Sequence, residues 1–294
     1  MLSITHIVAN YSELGKAKAN YPLKKTILFG ILAGAFIALA AAGSMYAVHE
    51  IEEIYTGKII AGALFATGLI LVVLSGVDLF TGNTLIAFAV YDKKVSPQRY
   101  LSNLGIVWLA NFVGSLVVVA LFVGSGNLHS IGAFVIKTAA GKTDKTFLEA
   151  LCSGILCCWL VAMAVFCSSG SKTAIGKIFA IFFPIWLFIA SGYEHSIANM
   201  FYIPLGLIAK LDPHFICQAL DNGVTQSAID NLNFGTFLYK NLIPVTIGNL
   251  IGGAVLVALA YWGALYKPKK QQTVQHNIKQ EQPNNQANET TNII

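Results

Sequence analysis

Residues 75–83 read Ser-Gly-Val-Asp-Leu-Phe-Thr-Gly-Asn and residues 191–199 read Ser-Gly-Tyr-Glu-His-Ser-Ile-Ala-Asn, so Ser, Gly, an acid and Asn recur at matching places. Each nonapeptide interrupts an apolar stretch with residues poorly suited to a continuous lipid-facing helix. Both read as helix breaks. Irregular backbone at membrane depth is tolerated only where protein or a water-filled cavity satisfies its polar groups, so the two breaks are expected to meet along a central pathway. The order of neighbouring motifs is also repeated: Gly30-Ile31-Leu32 and Gly154-Ile155-Leu156 lie ahead of the breaks, and Asn111 with Gly114 and Asn249 with Gly252 lie behind them.

Composition makes lipid the expected solvent. Of 294 residues, 55% are hydrophobic and 11% charged, with a mean hydropathy of +0.65, an excess over what a soluble core of this length uses. A span needs roughly 20 apolar residues. Six segments meet that: Thr26 to Val48, Ile59 to Val90 with the first break, Leu104 to Val123, Phe147 to Cys167, Ile178 to Ile208 with the second break, and Leu242 to Tyr266. The expected fold class is an all-α polytopic membrane protein. Three spans per half is an odd number, so the halves, about 26–124 and 146–267, form an inverted repeat within a transmembrane domain of residues 26–267. Residues 1–25 read as an amphipathic segment on the membrane surface. The Gln- and Asn-rich tail, 268–294, is expected to be disordered.

Alternating the loops places 13 Lys and Arg with the termini and six on the opposite side, which puts both termini in the cytoplasm. The formal charge of +5 is accounted for by that bias, and no basic patch interleaved with aromatics points to nucleic acid. The five cysteines lack disulfide or zinc spacing and read as packing residues. No cofactor, metal site or nucleotide-binding Gly-rich loop is expected, and the chain reads as a transporter rather than an enzyme: His195 and Glu194 are adjacent on one backbone and no nucleophile motif accompanies them.

Within the breaks, His195 is the leading pathway residue, because imidazole is costly to charge in lipid and is readily tuned near neutral pH. An entering anion is expected to favour a proton on it. Thr81 supplies a hydroxyl that can donate to an anion or to His195 without adding charge. Asp78 and Glu194 occupy equivalent positions; a fixed negative charge would repel an anion, so they are expected to tie down the loops. Asn83 and Asn199 close the motifs and satisfy freed backbone groups, braced by Asn111 and Asn249. Phe65 and Leu69 lie one helical turn apart and, with Leu79, Phe80, Val161 and Phe188, could form apolar constrictions that hold back hydrated ions. Gly30 and Gly34 permit close helix approach, within or between protomers.

Asp78 followed by Leu79-Phe80-Thr81-Gly82-Asn83, and the run from Ala190 to Met200, resemble the signatures of the formate/nitrite transporter family; Pro22-Leu23, Ala110-Asn111 with Gly114, and Gly248-Asn249 add to the resemblance, which covers about residues 1–267. It implies an aquaporin-like fold of six spans and a homo-pentamer with one pore per protomer. The implied cargo is formate, nitrite, hydrosulfide or a short monocarboxylate such as lactate or acetate, with formate favoured and passage proton-coupled or pH-gated. His195 becomes the central pore histidine, the six apolar residues become family constrictions, and Lys145 matches a vestibule lysine. One departure stands out: the family often has Asn after the Cys of the fourth span, where this chain has Cys158 after Cys157. The competing reading, an aquaporin-like channel for neutral solutes, lacks its Asn-Pro-Ala in either break.

Overall fold

The computed structural model describes residues 2–265 and contains helices and no strand among them. The tail read as disordered lies outside the described residues. In chain order the helices are α1 (Ile4–Ala19), α2 (Leu23–Val48), α3 (Ile54–Ser75), α4 (Phe80–Tyr91), α5 (Pro97–Gly124), α6 (Leu128–Thr143), α7 (Phe147–Ser169), α8 (Ala174–Ala190), α9 (Ser196–Ala209), α10 (Pro213–Asp221), α11 (Gln226–Asn231) and α12 (Phe234–Leu265). Five of them, α2, α3, α5, α7 and α12, are each long and apolar enough to cross a membrane; α4, α8 and α9 are shorter apolar helices.

Boundaries follow local chemistry. Ser96 caps α5 by accepting from the Arg99 N–H, with Pro97 at the first helical position. Thr146 and Glu149 form a reciprocal capping box at the start of α7. A second box, Asn233 with Thr236, starts α12 at Phe234, eight residues before the sequence expectation of Leu242; hydropathy does not register a cap. The outer helices α6, α10 and α11 escaped the hydropathy reading because their faces are mixed: α6 buries Leu128, Ile131, Val135, Ile136 and Ala139 while His129, Ser130 and Lys137 are exposed.

Both breaks begin alike. α3 ends at Ser75 and α8 at Ala190, and Gly76 and Gly192 follow with φ of 71° each. That left-handed conformation costs a residue with a Cβ about 1–2 kcal/mol. Gly192→Ala, where no neighbour lies within 4 Å of the added carbon, is therefore expected to lower thermal stability by about that amount through backbone strain alone. Unfolding in detergent, followed by intrinsic fluorescence, measures it.

Packing repeats between the halves. α2 lies along α3 and α5, α7 lies along α8 and α12, α1 packs on α4 as α6 packs on α9, and α3 meets α8 across the two halves. Carbons added at Gly34 and Gly114 would fall 2.0 Å from the Asn111 and Ile31 carbonyl oxygens. The small-residue stripe of α2 therefore serves contact with α5 inside the protomer.

The helix α1 is joined to the end of α4 by a polar cluster. Ser12 donates to Asp92, Lys94 pairs with Glu13 at 2.9 Å and with Asp92 at 3.5 Å, and the Trp262 indole donates to Asp92. Burial pushes the Asp92 carboxyl up, but the donors from Ser12, Trp262 and Lys94 outweigh it and leave the group below its ordinary value.

Candidate functional site

The two breaks meet at Thr81 and His195, both buried, with Thr81 Oγ1 and His195 Nε2 3.1 Å apart. His195 is also the N-cap of α9, where its Nδ1 accepts from the Ala198 N–H at 3.1 Å. A cap of this kind fixes the tautomer: Nδ1 is the acceptor, so the ring hydrogen sits on Nε2 and donates to Thr81 Oγ1. The Thr81 hydroxyl hydrogen is then free to donate to a third group. The sequence expectation of an imidazole that takes up a proton meets an obstacle here, because a proton on Nδ1 would set two donors face to face and break the cap.

An aromatic ring stands next to the histidine of this pair, with a second ring behind it. The rings of Phe65 and Phe188 meet edge to face with centroids 5.7 Å apart, and Phe188 lies 6.1 Å from the His195 ring. Phe80 and Val161 are buried as well. Toward α1 lies a cavity of about 310 Å³ lined by Leu69, Leu79, Tyr11, Lys18 and Lys177, among others; Thr81 and His195 are not among its lining residues.

Each break is braced by one asparagine making three bonds. Asn111 accepts from the Phe80 N–H (2.9 Å) and donates to the carbonyls of Gly30 (2.7 Å) and Asp78 (3.0 Å). Asn249 accepts from the Ser196 N–H (2.9 Å) and donates to the carbonyls of Gly154 (2.8 Å) and Glu194 (3.1 Å). Phe80 and Ser196 open α4 and α9, where backbone N–H groups have no intrahelical acceptor, so each amide side chain supplies the missing one. All the partners are equivalent between the halves.

The acids are held by lysines that sequence reasoning passed over. Lys18 Nζ lies 2.8 Å from Asp78 and donates to Asn83 Oδ1 at 3.0 Å; Asn83 donates to Asn103, which donates back to the Lys18 carbonyl. In the second half Lys142 Nζ lies 3.1 Å from Glu194, Asn199 donates to Glu194 and to Asn241, and Asn241 donates back to the Lys142 carbonyl. Lys145, the lysine singled out by the sequence, stands farther away at 3.9 Å and is about one-third exposed. Lys142 takes the nearer place because the last turn of α6 directs it inward, over the Tyr202 ring at 5.1 Å. The signal that could have found Lys18 and Lys142 is their shared spacing ahead of Gly30 and Gly154, twelve residues in each half.

A family model described as formate/nitrite transporter matches residues 5–263. The chain is 38% identical over 261 residues to the uncharacterized transporter YrhG of Bacillus subtilis, covering 87% of this chain and 90% of that protein. It is also 38% identical over 258 residues to the formate channel FocA of Escherichia coli, covering 85% and 90%. A solved structure described as a pentameric formate channel with formate bound superposes with a TM-score of 0.72 at 30% identity, over 83% of this chain and 98% of that one.

Proposed function

This chain belongs to the formate/nitrite transporter family, and on that premise we propose that it is a channel-like transporter moving small monovalent weak-acid anions, formate foremost, through a pore in each protomer of a pentamer. The observation that carries the proposal is the buried Thr81 and His195 pair: two neutral side chains with a hydroxyl hydrogen to offer, beside the Phe65 and Phe188 rings. Such a site can solvate a compact anion without trapping it. A hydrated ion is held back by apolar narrow points, whereas a neutral acid crosses them.

In this reading α3 with α4, and α8 with α9, each cross the membrane as one broken span. That makes six spans, with the second half inverted and both termini cytoplasmic. At the α6 end, Lys142 and Lys145 share one carboxylate, Glu194, and at the α1 end Lys18 pairs with Asp78 while Lys177 lines the same cavity. The lysines at each mouth attract anions and raise their local concentration. A proton from vestibule water joins the anion as it leaves that field, and the neutral acid passes the phenylalanines. Asp78 and Glu194 tie down the breaks and neutralise lysines; they do not meet the cargo. The likeness to a formate channel of Escherichia coli and to a solved pentameric channel with formate bound supports formate over nitrite, hydrosulfide, lactate and acetate.

Purified protein in liposomes, given labelled formate, nitrite, hydrosulfide, lactate or glycerol at several pH values, tests this. Anion flux that rises as pH falls, with formate ranked first, is the expected outcome. Glycerol flux without anion flux would instead assign a neutral-solute channel.

A further inference from the structure

At the Thr81 backbone lies a second group of buried polar atoms. The Thr84 hydroxyl donates to the Thr81 carbonyl at 2.6 Å, and the Cys158 sulfur lies 4.0 Å from the same oxygen. Thr84 is in turn held from two directions. Its carbonyl accepts from the Tyr100 hydroxyl of α5 at 3.0 Å. Its side chain abuts Gly253 of α12, where an added carbon would stand 2.0 Å from Thr84 Oγ1, 2.8 Å from its Cβ and 3.3 Å from Cys158 Sγ. This part of α12, Ile251–Leu259, is wound in widened π-helical turns, a distortion that often marks functional positions.

A threonine bonding back to a carbonyl three residues earlier is common in helices and has no necessary function. What distinguishes Thr84 is the residue it grips and the room made for it. Thr81 is the side chain whose hydroxyl meets His195, and its peptide sits in a four-residue helical turn, Phe80–Asn83, followed by a tighter one, Thr84–Ile86. Among side chains, the other donor to the Thr81 carbonyl is a thiol, a weak donor at long range, so the side-chain constraint on this carbonyl comes mainly from Thr84.

We infer that Thr84, backed by Gly253 and Tyr100, is a positioning residue that fixes the Thr81 peptide and so keeps the Thr81 hydroxyl against His195 and turned to the cargo. The inference rests on the anion-pathway reading above. Removing the Thr84 hydroxyl lets the Thr81 peptide rock, and the anion then meets a donor that is no longer pre-oriented.

The test is Thr84→Val, which keeps the shape and removes the hydroxyl, alongside Thr84→Ser, which keeps the hydroxyl. In proteoliposomes Thr84→Val is expected to raise the half-saturating formate concentration by about fivefold, the scale of one ordinary hydrogen bond, and to change the ratio of formate to lactate flux. Thr84→Ser should match wild type. A purely packing role would move melting temperature and leave half-saturation and selectivity at wild-type values, and that result overturns the inference. If Thr84→Val does not assemble, Tyr100→Phe, which only releases the Thr84 carbonyl, gives the answer: a smaller shift in the same direction supports the inference and an unchanged half-saturation overturns it. Wild-type protein that moves no anion would overturn the pathway reading and this inference together, whereas a normal wild type with an indifferent Thr84→Val overturns this inference alone.

Discussion

His195→Ala is expected to lower formate flux by about two- to tenfold, the effect of losing an ordinary hydrogen bond, while the protein still assembles. The imidazole has two functions that the variant removes together. Its Nε2–H donates to Thr81 Oγ1 and so aims the threonine hydroxyl at the cargo, and its Nδ1 caps α9 by accepting from the Ala198 N–H. Losing a cap costs about 1 kcal/mol, a minor part of the 5–15 kcal/mol typical of a folded domain. His195→Asn separates the two functions, because asparagine is among the best N-caps but is too short to reach Thr81 from the same backbone. It should recover wild-type melting while transport stays low. The pH profile then locates the proton. A proton on Nδ1 would displace the Ala198 N–H and set a cation against the positive end of α9, so residual flux in both variants is expected to keep the wild-type rise toward acid pH. A flat profile in labelled-formate uptake would place the transferred proton on the imidazole.

What the sequence makes legible are features that depend on residue type along the chain. Long apolar runs disclose α2, α3, α5, α7 and α12, and the paired nonapeptides disclose where α3 and α8 stop, because Gly76 and Gly192 adopt a backbone that other residues avoid. Asn111 and Asn249 were found by their recurrence, and the structure gives each the same three bonds. What escaped depends on contacts between distant segments. Lys18 and Lys142 sit on helices of mixed polarity that hydropathy treats as surface; only their proximity to Asp78 and Glu194, across 60 and 52 residues of chain, distinguishes them from ordinary snorkelling lysines. The choice of Lys145 over Lys142 turns on helical phase at the end of α6, which spacing alone does not give. These contacts also extend the internal repeat: α1 stands to the first break as α6 stands to the second, so the opening segment read as a separate amphipathic piece is the counterpart of a helix inside the chain.

Asn111→Leu and Asn249→Leu are each expected to destabilise the fold by about 2–6 kcal/mol, from two buried backbone groups left unpaired at about 1–3 kcal/mol apiece. The groups are the N–H that opens the helix after the break and the carbonyl of the acid before it: Phe80 and Asp78 in the first half, Ser196 and Glu194 in the second. The third bond, to Gly30 or Gly154, goes to carbonyls inside long helices whose ladders already engage them, and is left out of the sum. Hydrogen bonds between membrane helices average only about 0.6 kcal/mol in mutant cycles because the separated helices find other partners. That discount applies weakly here. A break in mid-helix exposes its backbone to whatever surrounds it, and in lipid nothing else accepts the N–H. The larger figure should therefore hold, enough to remove much of a typical stability and to reduce the yield of assembled protein. Size-exclusion profiles and melting in detergent measure the effect. The two variants should lose stability to within about 1 kcal/mol of each other, since their bonds match one for one and single hydrogen bonds scatter by roughly that much. A severe loss in one half with a mild one in the other would mean that one break is supported by something besides its asparagine, and would separate two halves that the geometry makes equivalent.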